Sequence, residues 1–198
     1  MTGSAGKTFS GPQSGIIVWD DPEITEAVTS AVFPVWAATH QVNRVAALAL
    51  ATAEAIAYGE AFMAQIVKNA QALQARGLPM LGAHKGFTQT HQTIADARRF
   101  GRGLEAARRL ERANIIVNKN LIPEDKPQDW DYPGGLRMGT IEVTRLGMRE
   151  PEMEAIADLI ARVIVRDEEP ETVKPDALEL RRGFQTLYYC FETGLPPR

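Results

Sequence analysis

The stretches ANIIVNKN (residues 113–120) and GLRMGT (residues 135–140) decide how the second half of the chain folds. Short apolar runs bounded by turn-forming residues predict strands near Ile115–Asn118 and Leu136–Gly139. The segment between them, residues 121–135, carries three prolines and two glycines and is predicted to be a loop. Loops of this length are often functional.

The sequence on either side of these stretches predicts a mixed unit of strands and helices. Further strands are expected near Pro79–Leu81 and His91–Asp96. The predicted helices are Leu104–Ala113, Pro151–Val165 and about Pro175–Phe191. This order indicates a small α+β layer in which helices cover one face of a short sheet.

The first part of the chain predicts a strand and two helices. SGIIVW at Ser14–Trp19 is short, rich in β-branched residues and bounded by turn signals, as a buried strand is. A short helix is expected at Pro22–Val32. Thr39–Arg76 contains no proline and one glycine, which predicts a long helix that ends at Gly77.

The composition is that of a soluble protein, because 44% of the 198 residues are hydrophobic and 24% are charged. A formal net charge of -3 gives no general positive field for a nucleic acid. Apolar stretches such as Val45–Ala53 are shorter than the roughly 20 residues that span a bilayer. The N-terminus has no apolar signal region, so we expect a cytoplasmic protein without nucleic-acid or membrane partners.

The histidines and the cysteine do not indicate a metal centre. His40, His84 and His91 lack metal-site spacing, and no cysteine or paired carboxylate joins them. Cys190 lies among aromatic residues and is interpreted as a packed cysteine, not an activated thiol. We therefore expect no metal.

Lys7 lies in the string MTGSAGKT (residues 1–8), which partly resembles a phosphate-binding loop. In the pattern G-x-x-x-x-G-K-[ST] the first glycine is replaced by Met1, and the Gly11-Pro12 pair interrupts the helix that should follow. Nucleotide hydrolysis is therefore disfavoured. Considered alone, Lys7 is a flexible lysine near a terminus.

Segments in both halves of the chain match the motifs of one enzyme family. Residues 4–15, SAGKTFSGPQSG, are similar to its lysine segment T-T-H-K-T-L-R-G-P-R-G-G. Residues 113–120 and 135–148 follow its motifs A-N-I-T-V-N-K-N and S-G-I-R-x-G-T-P-A-x-T-T-R-G-M in the same order. The chain resembles the C-terminal half of a serine (glycine) hydroxymethyltransferase, an enzyme that uses pyridoxal phosphate (PLP).

The resemblance implies part of the α/β fold of fold type I PLP-dependent transferases. Residues 1–38 would be the end of the large PLP-binding domain. Residues 39–76 would form a long connecting helix, and residues 77–198 a small α+β C-terminal domain.

The resemblance also assigns roles to four residues. Lys7 would be the catalytic lysine that binds PLP as a Schiff base, and Arg137 would hold the α-carboxylate of the amino-acid substrate. A guanidinium suits that task because it grips a carboxylate through two parallel hydrogen bonds. Asn118 and Asn120 fall near the substrate and folate pocket. The alternatives are a surface arginine at a strand end and two asparagines that form a turn.

The sequence departs from the family around the lysine and in a glycine-rich segment. The family's threonine and histidine before the lysine are Ala5 and Gly6 here. The motif F-P-G-G-Q-G-G-P becomes FPVWAATH, so Val35 and Trp36 occupy positions meant for close backbone approach. The motif G-T-P-A becomes GTIE at residues 139–142. Changes of this kind, with Glu142 before Thr144 and Arg145, are similar to the threonine transaldolase branch, including fluorothreonine transaldolase. In the family, the N-terminal half supplies the ring that stacks on PLP, the aspartate at its nitrogen and several phosphate donors.

Three hypotheses follow. The first is a PLP-dependent hydroxymethyltransferase-like enzyme, or half of one, that makes or breaks the Cα–Cβ bond of a β-hydroxy amino acid. Tetrahydrofolate would accept the one-carbon unit, or an aldehyde would replace it, and a homo-oligomer or a separate chain would supply the N-terminal half. The second is a catalytically dead remnant that binds or regulates a full-length relative. The third is an α+β interaction module built on the long helix.

Overall fold

The computed structural model describes residues 1–73 and 79–192. The strands are β1 (Thr2–Ser4), β2 (Gly15–Ile17), β3 (Gln92–Asp96), β4 (Asn118–Asn120) and β5 (Gly135–Gly139). The α-helices are α1 (Thr25–Ser30), α2 (Val42–Ala72), α3 (Arg102–Arg112), α4 (Ile141–Arg145), α5 (Glu150–Ile164) and α6 (Pro170–Arg182). The chain divides into an N-terminal unit, Met1–Glu60, and a C-terminal unit, Ala61–Arg198.

The N-terminal unit begins with an antiparallel hairpin. Strands β1 and β2 pair with Thr2 opposite Ile17 and Ser4 opposite Gly15. Buried hydrophobic residues of this unit are Ala5 and Ala51, whereas its large apolar side chains are largely exposed. The exposed set comprises Met1, Ile17, Val18, Ile24, Val32, Phe33, Val35, Trp36, Val42, Val45, Leu50 and Ile56.

Helix α2 confirms most of the predicted long helix. Its sequence is rich in alanine and other strong helix formers, and proline is absent from it. Of the predicted range, residues 74–76 lie outside the described residues. By length and composition alone, α2 could cross a membrane. Helices of soluble proteins meet the same criteria, so the expected absence of a membrane partner stays a prediction.

The C-terminal unit is built on a small antiparallel sheet with strand order β3-β5-β4. Met80 adds an isolated bridge to Ala95 beside β3. One face of the sheet carries Leu136 and Met138, which join a buried core with α3, α5 and α6. Helix α3 approaches the sheet so closely that a Cβ on Gly103 would lie 2.1 Å from the Gly135 carbonyl oxygen.

Two predicted elements lie elsewhere along the sequence. Strand β4 starts at Asn118, later than predicted. Asn114 has a positive φ of 63°, and the Ile115 N–H donates to the Leu110 carbonyl, so these two residues cap the C-terminal end of α3 and do not begin the strand. Helix α6 starts at Pro170, where proline is favoured in a first turn, and ends before Gly183. The short helix α4, directly after β5, had no predicted counterpart.

Candidate active site

Arg137 occupies the open face of the sheet, opposite the helical core. In the antiparallel register it lies between Ile94 of β3 and Asn118 of β4. Side chains directly opposite each other share a face, whereas neighbouring residues along a strand alternate. Leu136 and Met138 are therefore buried while Arg137 is half-exposed. The sheet thus presents one guanidinium between a branched apolar side chain and an amide.

The guanidinium of Arg137 has no ion-pair partner among the described residues. Many other arginines are paired with carboxylates, namely Arg98, Arg102, Arg109, Arg112, Arg162, Arg166 and Arg182. The carboxylate on the same sheet face, Asp96, receives a two-pronged contact from Arg98 at 3.0 and 2.6 Å. That contact also lowers the pKa of Asp96. Arg137 is therefore available to a carboxylate from outside the chain.

The positive charge of Arg137 affects the pKa of His91, the residue directly before β3. Burial lowers the pKa of His91, and the positive charge of Arg137 lowers it further. The backbone of His91 is also fixed, because its carbonyl accepts the Thr140 N–H at 3.1 Å. The region around Arg137 thus favours neutral or negative groups over a second cation.

The N-K-N motif places its three side chains in two different environments. Asn118 and Asn120 share the open face with Arg137, because they pair with Arg137 and Gly135. The Asn120 amide donates to the Leu121 carbonyl at 2.7 Å. Lys119 between them donates to the carbonyls of Trp130 and Asp131 at 3.1 and 2.9 Å and so holds the predicted loop. The sequence did not predict this role. Because side chains alternate along a strand, that of Lys119 lies on the opposite face of the sheet from Asn118 and Asn120.

Lys7 lies in the loop that joins β1 to β2, in the N-terminal unit. The loop is held by the backbone, since the Ala5 N–H bonds to Ser14, the Gly11 N–H to Ala5 and the Ser10 N–H to Lys7. Lys7 is exposed, and its amine has no ion pair among the described residues. A lysine on a fixed loop with an unpaired amine fits the requirement for binding an aldehyde.

The segment that replaces the glycine-rich motif exposes its bulky side chains. Trp36 is 86% exposed and Val35 72% exposed. The Phe33 and His40 rings stack with their centroids 5.3 Å apart. The family motif has glycines, which lack a Cβ atom, at several positions of this segment, whereas this chain has bulky side chains there.

A cavity of about 340 Å³ lies elsewhere in the C-terminal unit, between the end of β5 and helices α4, α5 and α6. Its lining is mostly apolar and does not include Arg137, Asn118 or Asn120. Its arginine, Arg181, already donates to the Phe184 carbonyl. In residues 1–73 and 79–192, no cluster of three or more His, Cys, Asp or Glu side chains could hold a metal ion.

Comparison with known proteins identifies the family of this chain. The family model for serine hydroxymethyltransferase matches residues 1–160. The chain belongs to the serine hydroxymethyltransferase family. This membership confirms the resemblance based on the Lys7 segment, the N-K-N motif and the Arg137 strand.

Curated members of the family match along nearly the whole chain. Serine hydroxymethyltransferase from Methanopyrus kandleri is 46% identical over 199 residues, which cover 98% of this chain and 46% of the relative. The enzyme from Aeropyrum pernix is 41% identical over 196 residues, covering 97% of this chain and 45% of the relative. The chain therefore spans a little under half the length of these relatives.

A solved structure extends the similarity to three dimensions. L-threonine transaldolase from Pseudomonas fluorescens, in its internal aldimine state, matches with a TM-score of 0.85 at 28% identity. The match covers 98% of this chain and 45% of that protein. The chain thus has part of the α/β fold of fold type I PLP-dependent enzymes, corresponding to the C-terminal half, as predicted.

Proposed function

We propose that this chain is part of a PLP-dependent enzyme that makes or breaks the Cα–Cβ bond of a β-hydroxy amino acid. The observation that carries the proposal is the half-buried Arg137 guanidinium, which has no ion-pair partner among the described residues and lies beside Asn118 on the open sheet face. Lys7 holds the cofactor through its amine. The family to which the chain belongs supports both roles.

PLP, when bound, supplies an electron sink for the electrons released at the substrate Cα. Arg137 binds the substrate α-carboxylate through two parallel hydrogen bonds and thereby fixes which bond at Cα can be broken. Asn118, directly across from Arg137, adds a neutral amide donor and acceptor. The open face of the sheet thus orients the amino acid, and Lys7 retains the cofactor.

The exposed apolar surface of the N-terminal unit supports a polypeptide partner for this enzyme. Ile17 and Val18 of the hairpin are about half exposed, and Ile56 of α2 is 83% exposed. Full burial of one such side chain contributes roughly 1.5–3 kcal/mol. We propose that this surface is covered by a polypeptide equivalent to the half of the relatives that the chain does not span. That polypeptide would complete the cofactor site in the cytoplasm.

The partner is tested by purifying the 198-residue chain from its own cells and identifying co-purifying chains by mass spectrometry. Recovery of a polypeptide similar to the N-terminal half of the relatives supports the proposal. A second copy of this chain alone, or a clean monomer, contradicts it.

The cofactor role is tested on the same preparation by adding PLP and trapping it with borohydride. Peptide mapping is expected to place the label on Lys7, and Lys7→Ala is expected to abolish it. Lys85→Ala serves as the matched control, because Lys85 is also exposed and lies at the end of a short 3-10 helix. Labelling that is spread over surface lysines and unchanged in Lys7→Ala would refute the assignment and leave a remnant without cofactor chemistry.

A second candidate function is supported by the similarity to the threonine transaldolase structure. The two candidates differ in the acceptor, which is tetrahydrofolate in hydroxymethyl transfer and an aldehyde in transaldol exchange. Glycine production from serine should depend on tetrahydrofolate under the first. Exchange of the threonine side chain for an added aldehyde, without folate, would support the second.

A further inference from the structure

Four polar side chains lie buried where α2 meets the end of β5. Gln65 is 8% exposed, Thr140 1%, and Asn69 and Thr144 0%. A buried polar group is costly unless it is hydrogen-bonded. We call this set the β5 clasp.

Asn69 is the centre of the clasp. Its Nδ2 atom donates to Thr144 Oγ1 at 2.8 Å and to the Met148 carbonyl at 2.9 Å. Its Oδ1 atom accepts from Gln65 Nε2 at 2.9 Å. Gln65 Nε2 also donates to Glu150 Oε2 at 2.9 Å. Helix α2 is thereby joined to α4 and α5.

The two threonines connect Asn69 to the end of β5. Thr144 Oγ1 donates to the Thr140 carbonyl at 2.6 Å. Thr140 Oγ1 donates in turn to the Ile66 carbonyl of α2 at 3.0 Å. The hydrogen bonds therefore run from α2 through α4 and the residue that follows β5 back to α2.

Such a network is more than packing requires, because apolar side chains of similar volume often stabilise a core equally well. What hydrogen bonds add is a fixed geometry. Thr140 is three residues from Arg137 and holds the strand against His91 through its own N–H. A strand end that is fixed on two sides fixes the backbone from which the Arg137 side chain projects.

We propose that Thr144 is a positioning residue for Arg137, acting through Thr140 and the end of β5. The inference rests on the proposed binding of a substrate carboxylate by Arg137. Thr144 touches neither the substrate nor the guanidinium. It sets where the guanidinium is held.

The test compares Thr144→Val, which has the same shape but no hydroxyl, with Thr144→Ser, which keeps the hydroxyl. Both are made in the full 198-residue chain, and the Arg137 Nε–Hε signal is followed by NMR with and without glycine. Thr144→Val is expected to shift this signal before glycine is added and to weaken glycine binding about tenfold. Thr144→Ser should remain within about twofold of wild type.

Val163→Ala controls for loss of stability, because Val163 is fully buried in α5 and has no hydrogen-bonding side chain. It is expected to lower the melting temperature and leave the Arg137 signal in place. If Thr144→Val lowers stability equally and also leaves the signal and the glycine affinity unchanged, the clasp is only structural and the proposal is wrong. Thr140→Val, which removes the bond to Ile66, provides the same test if Thr144→Val does not fold.

The two proposals fail separately. If the wild-type chain, purified with its partner polypeptide and supplied with PLP, does not bind glycine, the carboxylate assignment of Arg137 is refuted. The Arg137 signal in the ligand-free Val and Ser variants still decides whether Thr144 positions that side chain.

Discussion

Gly103→Ala tests the close contact that places β5 against α3. A Cβ at this position would lie 2.1 Å from the Gly135 carbonyl oxygen, whereas ordinary contacts begin at 3.4 Å. The backbone of β5 or α3 must therefore move by about 1.3 Å. Overpacking of this kind costs about 3 kcal/mol, and the better helix propensity of alanine returns about 1 kcal/mol. We expect a net loss of about 2 kcal/mol.

A loss of this size lowers the melting temperature of a chain this long by about 4–8 °C. Circular dichroism during heating measures it. Gly59→Ala is the matched control, because Gly59 is also helical and a Cβ there meets nothing within 4 Å. It should stabilise the helix by up to about 1 kcal/mol. If both variants change stability in the same direction and by similar amounts, the close contact between α3 and β5 does not exist.

Two further predictions concern the acid response and the loop. The pKa of Glu150 is lowered by its own backbone N–H and by the Gln65 amide, so the folded state binds this proton more weakly than the unfolded state. Its stabilising contribution is therefore present above pH 4.5 and is lost as the pH falls through the lower folded pKa. In urea unfolding, the free energy of unfolding of Glu150→Gln should therefore fall less steeply with decreasing pH than that of the wild type. Lys119→Met removes the bonds to Trp130 and Asp131 and should speed proteolysis within residues 121–135, with Lys126→Met as the unchanged control.

Local sequence signals predicted the elements of the C-terminal unit but not the way they are joined. Turn residues and apolar runs located β3, β5 and α5 to within a residue or two. Strand β4 begins at Asn118 and not at the predicted Ile115, because the N–H groups of Asn114 and Ile115 bond back to helix α3, which the hydrophobic periodicity does not show. The helix predicted to end at Phe191 ends at Arg182, because Gly183 follows it and the apolar residues beyond belong to irregular structure.

For the candidate site, too, the sequence predicted the residues but not the contacts that surround them. Family motifs identified Arg137, Asn118 and Asn120, and the register of β5 with β4 brings these side chains to one face. The β5 clasp was not predicted, because Asn69 and Thr144 are 75 residues apart and nothing in the sequence indicates that they pair. The pairing of many other arginines with carboxylates was also invisible in the sequence, and Arg137 combines the lack of an ion pair among the described residues with a place on the open sheet face.

The two candidate binding residues have surroundings that have diverged from the family to different degrees. Arg137 keeps the glycine and threonine that follow it in the motif, with P-A replaced by Ile141-Glu142, whereas Lys7 follows Gly6 in place of histidine. We therefore expect glycine binding at Arg137 to be measurable without PLP. Arg137→Lys should weaken it at least about tenfold, because an ammonium cannot make two parallel bonds to a carboxylate. Arg108→Lys, on the exposed face of α3, should bind as wild type does, and equal binding by all three chains would show that the carboxylate is held elsewhere.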